Sequence, residues 1–120
     1  MFIVEASAYT SSIHSALMAA IGDLAGSLQI STSNILAGVI TYDDTVDLNI
    51  DLNDYYSAST LDSSITSIPI SNAASAVNLA EALRVGFYDF FTLSKGNRFT
   101  AFRHFVVIAK TYSSQTGATV

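Results

Sequence analysis

The stretch ILAGVITYDDTVDLNIDLND, residues 35–54, decides how this chain folds. Its first part, 35–42, is a nearly unbroken apolar run, the pattern of a strand buried on both faces. Asp43-Asp44 is a tight-turn signal. Beyond it Val46, Leu48, Ile50 and Leu52 alternate with Asp47, Asn49 and Asp51, a strict period of two over seven residues and the clearest strand in the chain. A turn this short makes the two strands an antiparallel hairpin, with the second strand at an edge of the sheet.

Working outward, Phe2-Ile3-Val4 reads as a short buried strand, bounded by Glu5 and a Ser/Thr cluster. Ser11 or Ser12 can cap the helix that follows, in which Ile13, Leu17, Ala20, Ile21, Leu24 and Leu28 recur at helical spacing. Gly22 and Gly26 weaken its propensity but let it lie close against a sheet. On the other side of the hairpin, Leu61, Ile65 and Ile68 mark a short helix that ends near Pro69. A longer helix carries Leu79, Ala82, Leu83, Gly86, Phe87 and Phe90 on one face. Lys95-Gly96-Asn97-Arg98 is a polar loop, residues 105–109 form a last buried strand, and 113–120 looks irregular. The expected fold is a Rossmann-like α/β open sheet, mostly parallel with one antiparallel edge strand and helices on both faces. There is no internal repeat.

The bulk composition narrows the function. The chain has 120 residues, enough for one domain, half of them apolar and only 12% charged. There is no apolar run of the length needed to span a membrane. A net charge of −5, with five basic residues spread from Arg84 to Lys110, disfavours nucleic acid, whose phosphates require a Lys/Arg-rich face. The absence of cysteine removes thiol catalysis and thiolate metal sites. Gly22 and Gly26 are not followed by a Lys-Ser/Thr pair, so there is no phosphate loop. Met1 leads straight into a strand with no basic segment before it, as expected of a mature or trimmed domain, and no Asn-x-Ser/Thr sequon occurs. A weakly charged, Ser/Thr-rich surface suits a protein that associates with itself or with neighbours.

The order of elements resembles the first two thirds of a von Willebrand factor A domain. MFIVEASAYTSS stands where that family has its first strand and metal loop, and ILAGVITYDDTVDLNIDLND where it has its hairpin. VNLAEALRVG is similar to the helix that in the family opens with Thr-x-Thr, and HFVVIAKTYSSQTG stands at the fourth strand. The strings are most similar to the A-type domains of secreted nematode C-type-lectin-like proteins, and that resemblance implies an extracellular, secreted location.

In the family a divalent cation is held by an Asp-x-Ser-x-Ser loop, a Thr from a second loop and an Asp at the end of the fourth strand. The resemblance puts Glu5 in place of the Asp, Ser7 at the first Ser, Tyr9 at the second, Val77 at the Thr and Thr111 at the last Asp. One carboxylate without a second anionic ligand, beside Lys110, is a poor site for a hard cation. No metal and no other cofactor is expected at these degenerate positions. The simpler role for Glu5 is to pair with Lys110 or to cap the helix start at Ser11/Ser12, which would neutralise a costly partly buried charge.

Ser7, Ser11 and Ser12 read as loop and cap residues, since a serine nucleophile needs a positioned base and nothing places His14 or His104 beside one. His14 is expected on an exposed or half-exposed helix face. The carboxylates Asp43, Asp44, Asp47, Asp51 and Asp54 lack the glycine and terminal Glu of an EF-hand and read as a solvated edge that discourages unwanted pairing. Phe87 and Phe90 fit the core face of their helix. Tyr88 and Phe91 point elsewhere, to form a contact patch or to cover a neighbouring loop.

A family domain continues past its fourth strand, so Phe105, Val106, Val107, Ile108 and Ala109 would form an apolar edge available for assembly. That edge belongs to a fragment of a longer chain, is covered by a neighbouring subunit, or is capped by residues 113–120. The expected function is therefore a non-catalytic, secreted interaction or structural assembly module, with self-association or a neighbouring subunit or domain as partner. The alternative is a metal-dependent adhesion domain using Glu5 and Ser7. A hydrolase or phosphatase remnant would need an acid/base pair near the strand ends, which the sequence does not supply.

Overall fold

β1 (Phe2–Glu5), the first strand in the chain, lies inside the sheet with a parallel neighbour on each side. The computed structural model describes residues 1–70, 73–98 and 100–111. After β1 come a 3₁₀ turn (Ser11–Ile13), α1 (His14–Gly26), β2 (Val39–Tyr42), β3 (Val46–Ile50) and α2 (Ala58–Thr66). Then follow α3 (Leu79–Val85), which runs on as a π-helical turn over Gly86–Phe90, a second 3₁₀ turn (Leu93–Lys95) and β4 (Val106–Ile108). The sheet order is β3-β2-β1-β4, with β2 and β3 antiparallel and every other pair parallel. This is the α/β sheet expected from the sequence, with the alternating segment as its antiparallel edge. Residues 113–120, expected to be irregular, lie outside the described residues.

The alternation of side chains along β1 and β2 divides the interior in two. Phe2, Val4 and Val39 pack on one face with Met18, Ile21 and Ala25 of α1 and Leu61 and Ile65 of α2. Ile3, Ile40 and Tyr42 pack on the other with Ala82, Val85 and Phe90. Because helices cover both faces, every residue of β1 and β2 is buried, which is why both strands read as continuous apolar runs. Each large side chain so buried contributes about 1.5–3 kcal/mol. α3 begins where the Asn78 side chain accepts the Glu81 N–H at 3.1 Å, a cap that satisfies one of the helix's unpaired donors.

Several details differ from the sequence expectations. The buried stripe of α1 is His14, Met18, Ile21, Gly22 and Ala25, while Ile13, Ala20 and Leu24 face outward. The helix sits close to α2, and a Cβ on Gly22 would lie 2.5 Å from Asp62 Oδ1, so small residues face inward; Gly22 and Gly26 accommodate a helix, not a sheet. α3 repeats the pattern. Ala82, Val85, Gly86 and Phe90 are buried, and Leu83 and Phe87 are exposed. The second strand starts at Val39 rather than at Ile35, and Ile35 forms instead an isolated parallel bridge with Ile30. β4 is shorter than expected and is not buried: Val106 and Val107 are each 41% exposed, since it has no strand on its outer side among the described residues. Ala109 is exposed, and Phe105 is half-buried against the second core.

Candidate functional site

The carboxyl ends of β1 and β2 come together where Glu5 pairs in register with Tyr42. The chain leaving β1 is tied down at once, with the Ala6 N–H donating to Tyr42 O at 2.7 Å and the Ala8 N–H to Ala74 O at 2.9 Å. Thr10 closes the turn. Its Oγ1 accepts the Ser7 N–H at 3.0 Å and donates to Glu5 O at 3.1 Å, and its N–H donates to Ser7 O at 3.2 Å.

This turn folds Glu5 into the protein, where it is 0% exposed. Its Oε2 accepts the Ser7 hydroxyl at 2.6 Å and the Thr111 hydroxyl at 2.7 Å. Its Oε1 accepts the backbone N–H groups of Lys110 at 2.9 Å and Thr111 at 3.0 Å. A carboxylate offers about four lone-pair sites, and here each meets a donor. Burial would raise the Glu5 carboxyl, but the bonds from Ser7, Thr111 and Lys110 outweigh it and hold the group below its ordinary value. Burial, with the Glu5 charge adding to it, pushes the Tyr42 hydroxyl up to about 12. That hydroxyl is buried without a hydrogen-bond partner.

The positions expected around the site are brought together in part. Glu5, Ser7 and Thr111 converge. Tyr9 enters only through its backbone, its N–H donating to Ser7 Oγ at 3.1 Å, and its ring is exposed. Val77 is buried in the second hydrophobic core. The expected ion pair between Glu5 and Lys110 does not form: Lys110 gives Glu5 its backbone N–H, and its ammonium donates to Tyr9 O at 2.8 Å. Glu5 does not cap the helix either, and Ser11 Oγ instead donates to Ala8 O at 3.1 Å. Strand-end backbone donors reach the carboxylate first, and they need no long side chain to be ordered.

A second buried carboxylate stands beside this site. Asp43 is 4% exposed, not part of a solvated edge, because it organises the hairpin turn. Its Oδ1 accepts the Thr45 N–H at 3.0 Å and hydroxyl at 3.1 Å, and its Oδ2 accepts the Ala74 N–H at 3.1 Å. Burial pushes Asp43 up, but these bonds prevail and its carboxyl is lowered. The Asp-x-Thr spacing of a side-chain turn was the signal for this role. Asp51 lies further along, in an ion pair with Lys95 at 3.2 Å. Among the described residues no three of His, Cys, Asp and Glu are grouped so as to hold a metal ion.

His14 is buried, contrary to expectation, with Nε2 2.8 Å from Ile68 O and Nδ1 unpartnered. Among the described residues neither histidine hydrogen-bonds a serine, and the serine–base pair required for a nucleophile is not assembled. Tyr88 is 67% exposed beside Phe87, whereas Phe91 is half-buried and packs edge-on against Phe90 and Phe105. No helix among the described residues is long and apolar enough to cross a membrane.

The family model of the von Willebrand factor type A domain matches residues 1–119. The chain belongs to the von Willebrand factor type A domain family. Such domains are protein-interaction and adhesion modules. Among solved structures, this VWA chain is similar to proximal thread matrix protein 1 from the mussel byssus, with a TM-score of 0.82 at 15% identity. The match covers 95% of this chain and 30% of that one. A second crystal form of the same mussel protein matches at 14% identity and TM-score 0.82, over 95% and 31% of the two chains. Its form with a zinc-occupied MIDAS motif matches at 14% and 0.81, over the same shares. At these identities the likeness is one of fold, and the VWA chain spans less than a third of those proteins' length. No curated protein sequence matches it.

Proposed function

We propose that this VWA domain is a non-catalytic extracellular interaction or assembly module that works without a metal ion. The observation that carries this reading is the state of Glu5. Its four acceptor positions are filled by two hydroxyls and two backbone N–H groups of the protein itself. A family cation site draws on several oxygen ligands, and the residues here do not fit one. Val77, at the position the resemblance gives to the threonine ligand, has no side-chain oxygen and belongs to the core. Asp43, the nearest candidate for a second anion by sequence and fold, is committed to Thr45 and Ala74. A hard cation would have to displace these internal bonds and would gain only one carboxylate in return.

With the ion removed, the surfaces carry the function. The edge of β4, which has no strand on its outer side among the described residues and leaves Val106 and Val107 exposed, offers backbone groups and apolar side chains to an added strand. Tyr88, exposed beside Phe87, is a second contact surface, whereas Phe91 is half-buried against Phe90 and Phe105. The matrix role of the mussel protein agrees with an extracellular structural setting. Native mass measurement in EDTA tests the reading. It predicts species heavier than 12.7 kDa that persist without metal and revert to monomer in Val107→Lys. A strictly monomeric wild type, or assembly that requires a divalent cation, contradicts it.

The rival reading, metal-dependent adhesion, has one observation in its favour. The Ser7 and Thr111 hydroxyl oxygens both lie within 2.7 Å of the same Glu5 oxygen, so three family positions share one locus.

A further inference from the structure

At the opposite end of the strands from Glu5, a cavity of about 540 Å³ opens between the start of β1, the segment before β2 and the loop that leads into β4. This is the size range of small-molecule sites. Its walls are largely apolar, formed by Phe2, Leu28, Leu36, Leu52 and Phe91 among others. Two polar features stand out.

The first is Asn97. It is 5% exposed, and its Nδ2 has no hydrogen-bond partner. That nitrogen is itself enclosed, so Asn97 shapes the cavity wall and offers no accessible donor to the lumen. The loop holds it there firmly. The Asn97 N–H donates to Thr92 O at 2.9 Å, and Gly96, at φ 92, lies so close to Asn53 that a Cβ would sit 2.7 Å from the Asn53 nitrogen.

The second is charge. The chain has only five Lys and Arg residues against ten Asp and Glu, yet two of the five, Arg98 and Arg103, line this cavity beside His104, and no Asp or Glu is among its described walls. Arg98 is engaged with the Thr32 and Asn34 carbonyls and braces the rim. Arg103 has no carboxylate partner among the described residues. Its guanidinium lies 5.5 Å from the centre of the Phe91 ring, over the apolar wall.

We infer that this cavity is a binding site for a small amphipathic carboxylate, an alkyl chain lying on the apolar wall with its head group at Arg103. The site is separate from Glu5, which stands at the other end of the same strand, and it borders the proposed assembly edge, since Val106 of β4 also lines it.

Dodecanoate, used below the concentration at which it forms micelles, is the probe, followed by amide NMR shifts and by calorimetry. Saturable one-site binding is expected, with the shifts centred on Ala37, Asn97 and Arg98. Dodecanol should bind about ten-fold more weakly, the loss of one charge-assisted hydrogen bond. Arg103→Gln, at an exposed position where folding is undisturbed, should weaken dodecanoate by a similar factor and leave dodecanol unchanged. Ala101→Trp, which fills the cavity mouth, should abolish binding of both. No saturation, shifts centred elsewhere, equal affinity for acid and alcohol, or binding unchanged in Arg103→Gln and Ala101→Trp would each overturn the assignment.

Discussion

Thr111 holds Glu5 twice, its backbone N–H donating to Oε1 at 3.0 Å and its hydroxyl to Oε2 at 2.7 Å. Glu5 ends β1 and Thr111 lies just beyond the end of its parallel neighbour β4, so the clasp joins the first segment of the chain to the last described one. In the proposed reading it takes over what a metal ion would do at this point, which is to satisfy a buried carboxylate and fix the loops around it.

Removing the hydroxyl half of the clasp should be felt as stability. Thr111→Val keeps the shape and loses one bond to a charged acceptor, at a cost of about 1–3 kcal/mol. Urea denaturation would measure it. A loss near zero would mean that water takes the place of the hydroxyl at no cost.

Acid should weaken the fold through the same group. Both Glu5 and Asp43 have carboxyls held below their ordinary values in the folded state. Between the folded and unfolded values the unfolded chain binds more protons, so stability rises with pH there. Their contribution is complete above about pH 4–5, the upper side of the ordinary carboxylate range. It is lost as the pH falls through the lowered folded values. Glu5→Gln should flatten part of that dependence in denaturation curves taken from pH 7 to pH 2. A variant that keeps the full wild-type slope would show that Glu5 is not a source of it.

The face that α1 turns inward can be checked by truncation. Met18 is 0% exposed and Leu24 is 51% exposed. Met18→Ala should cost about 2–5 kcal/mol, and Leu24→Ala about 0.5 kcal/mol or less. The reverse order would restore the stripe that the sequence alone suggests.

Gly38 offers a sharper test of the packing between sheet and helix. A Cβ there would lie 2.5 Å from the Ile50 carbonyl and against the tip of the Phe90 ring. Gly38→Ala should therefore destabilise by about 1–3 kcal/mol through overpacking, and Phe90→Leu in the same chain should recover part of the loss.

These tests also mark what the sequence could and could not reveal. The sheet was legible because its signals are local: the unbroken run into Tyr42, the Asp43-Asp44 turn and the strict alternation from Val46 read directly as an inner strand and an antiparallel edge. The helix faces were legible in part. In α3 Ala82, Gly86 and Phe90 lie inward as the sequence suggested, while Leu83 and Phe87 turn out. In α1 Ile21 was placed rightly, but the small Gly22 and Ala25 face inward where the helix sits close to α2, and Leu24 faces out. At the site, family resemblance placed Glu5, Ser7 and Thr111 in one locus. Their partners were not legible, since the donors are backbone N–H groups of Lys110 and Thr111, which leave no mark on residue identity. Asn97 was read only as loop, and its burial arises from a cavity wall built by distant segments.

Titration calorimetry with Mg²⁺, Mn²⁺, Ca²⁺ and Zn²⁺ in turn bears most directly on the claim that this VWA domain works without an ion. The account predicts no saturable heat at millimolar cation, and none restored by Val77→Thr alone, since Glu5 stays committed to its four internal donors. Saturable one-to-one binding that disappears in Ser7→Ala would contradict it.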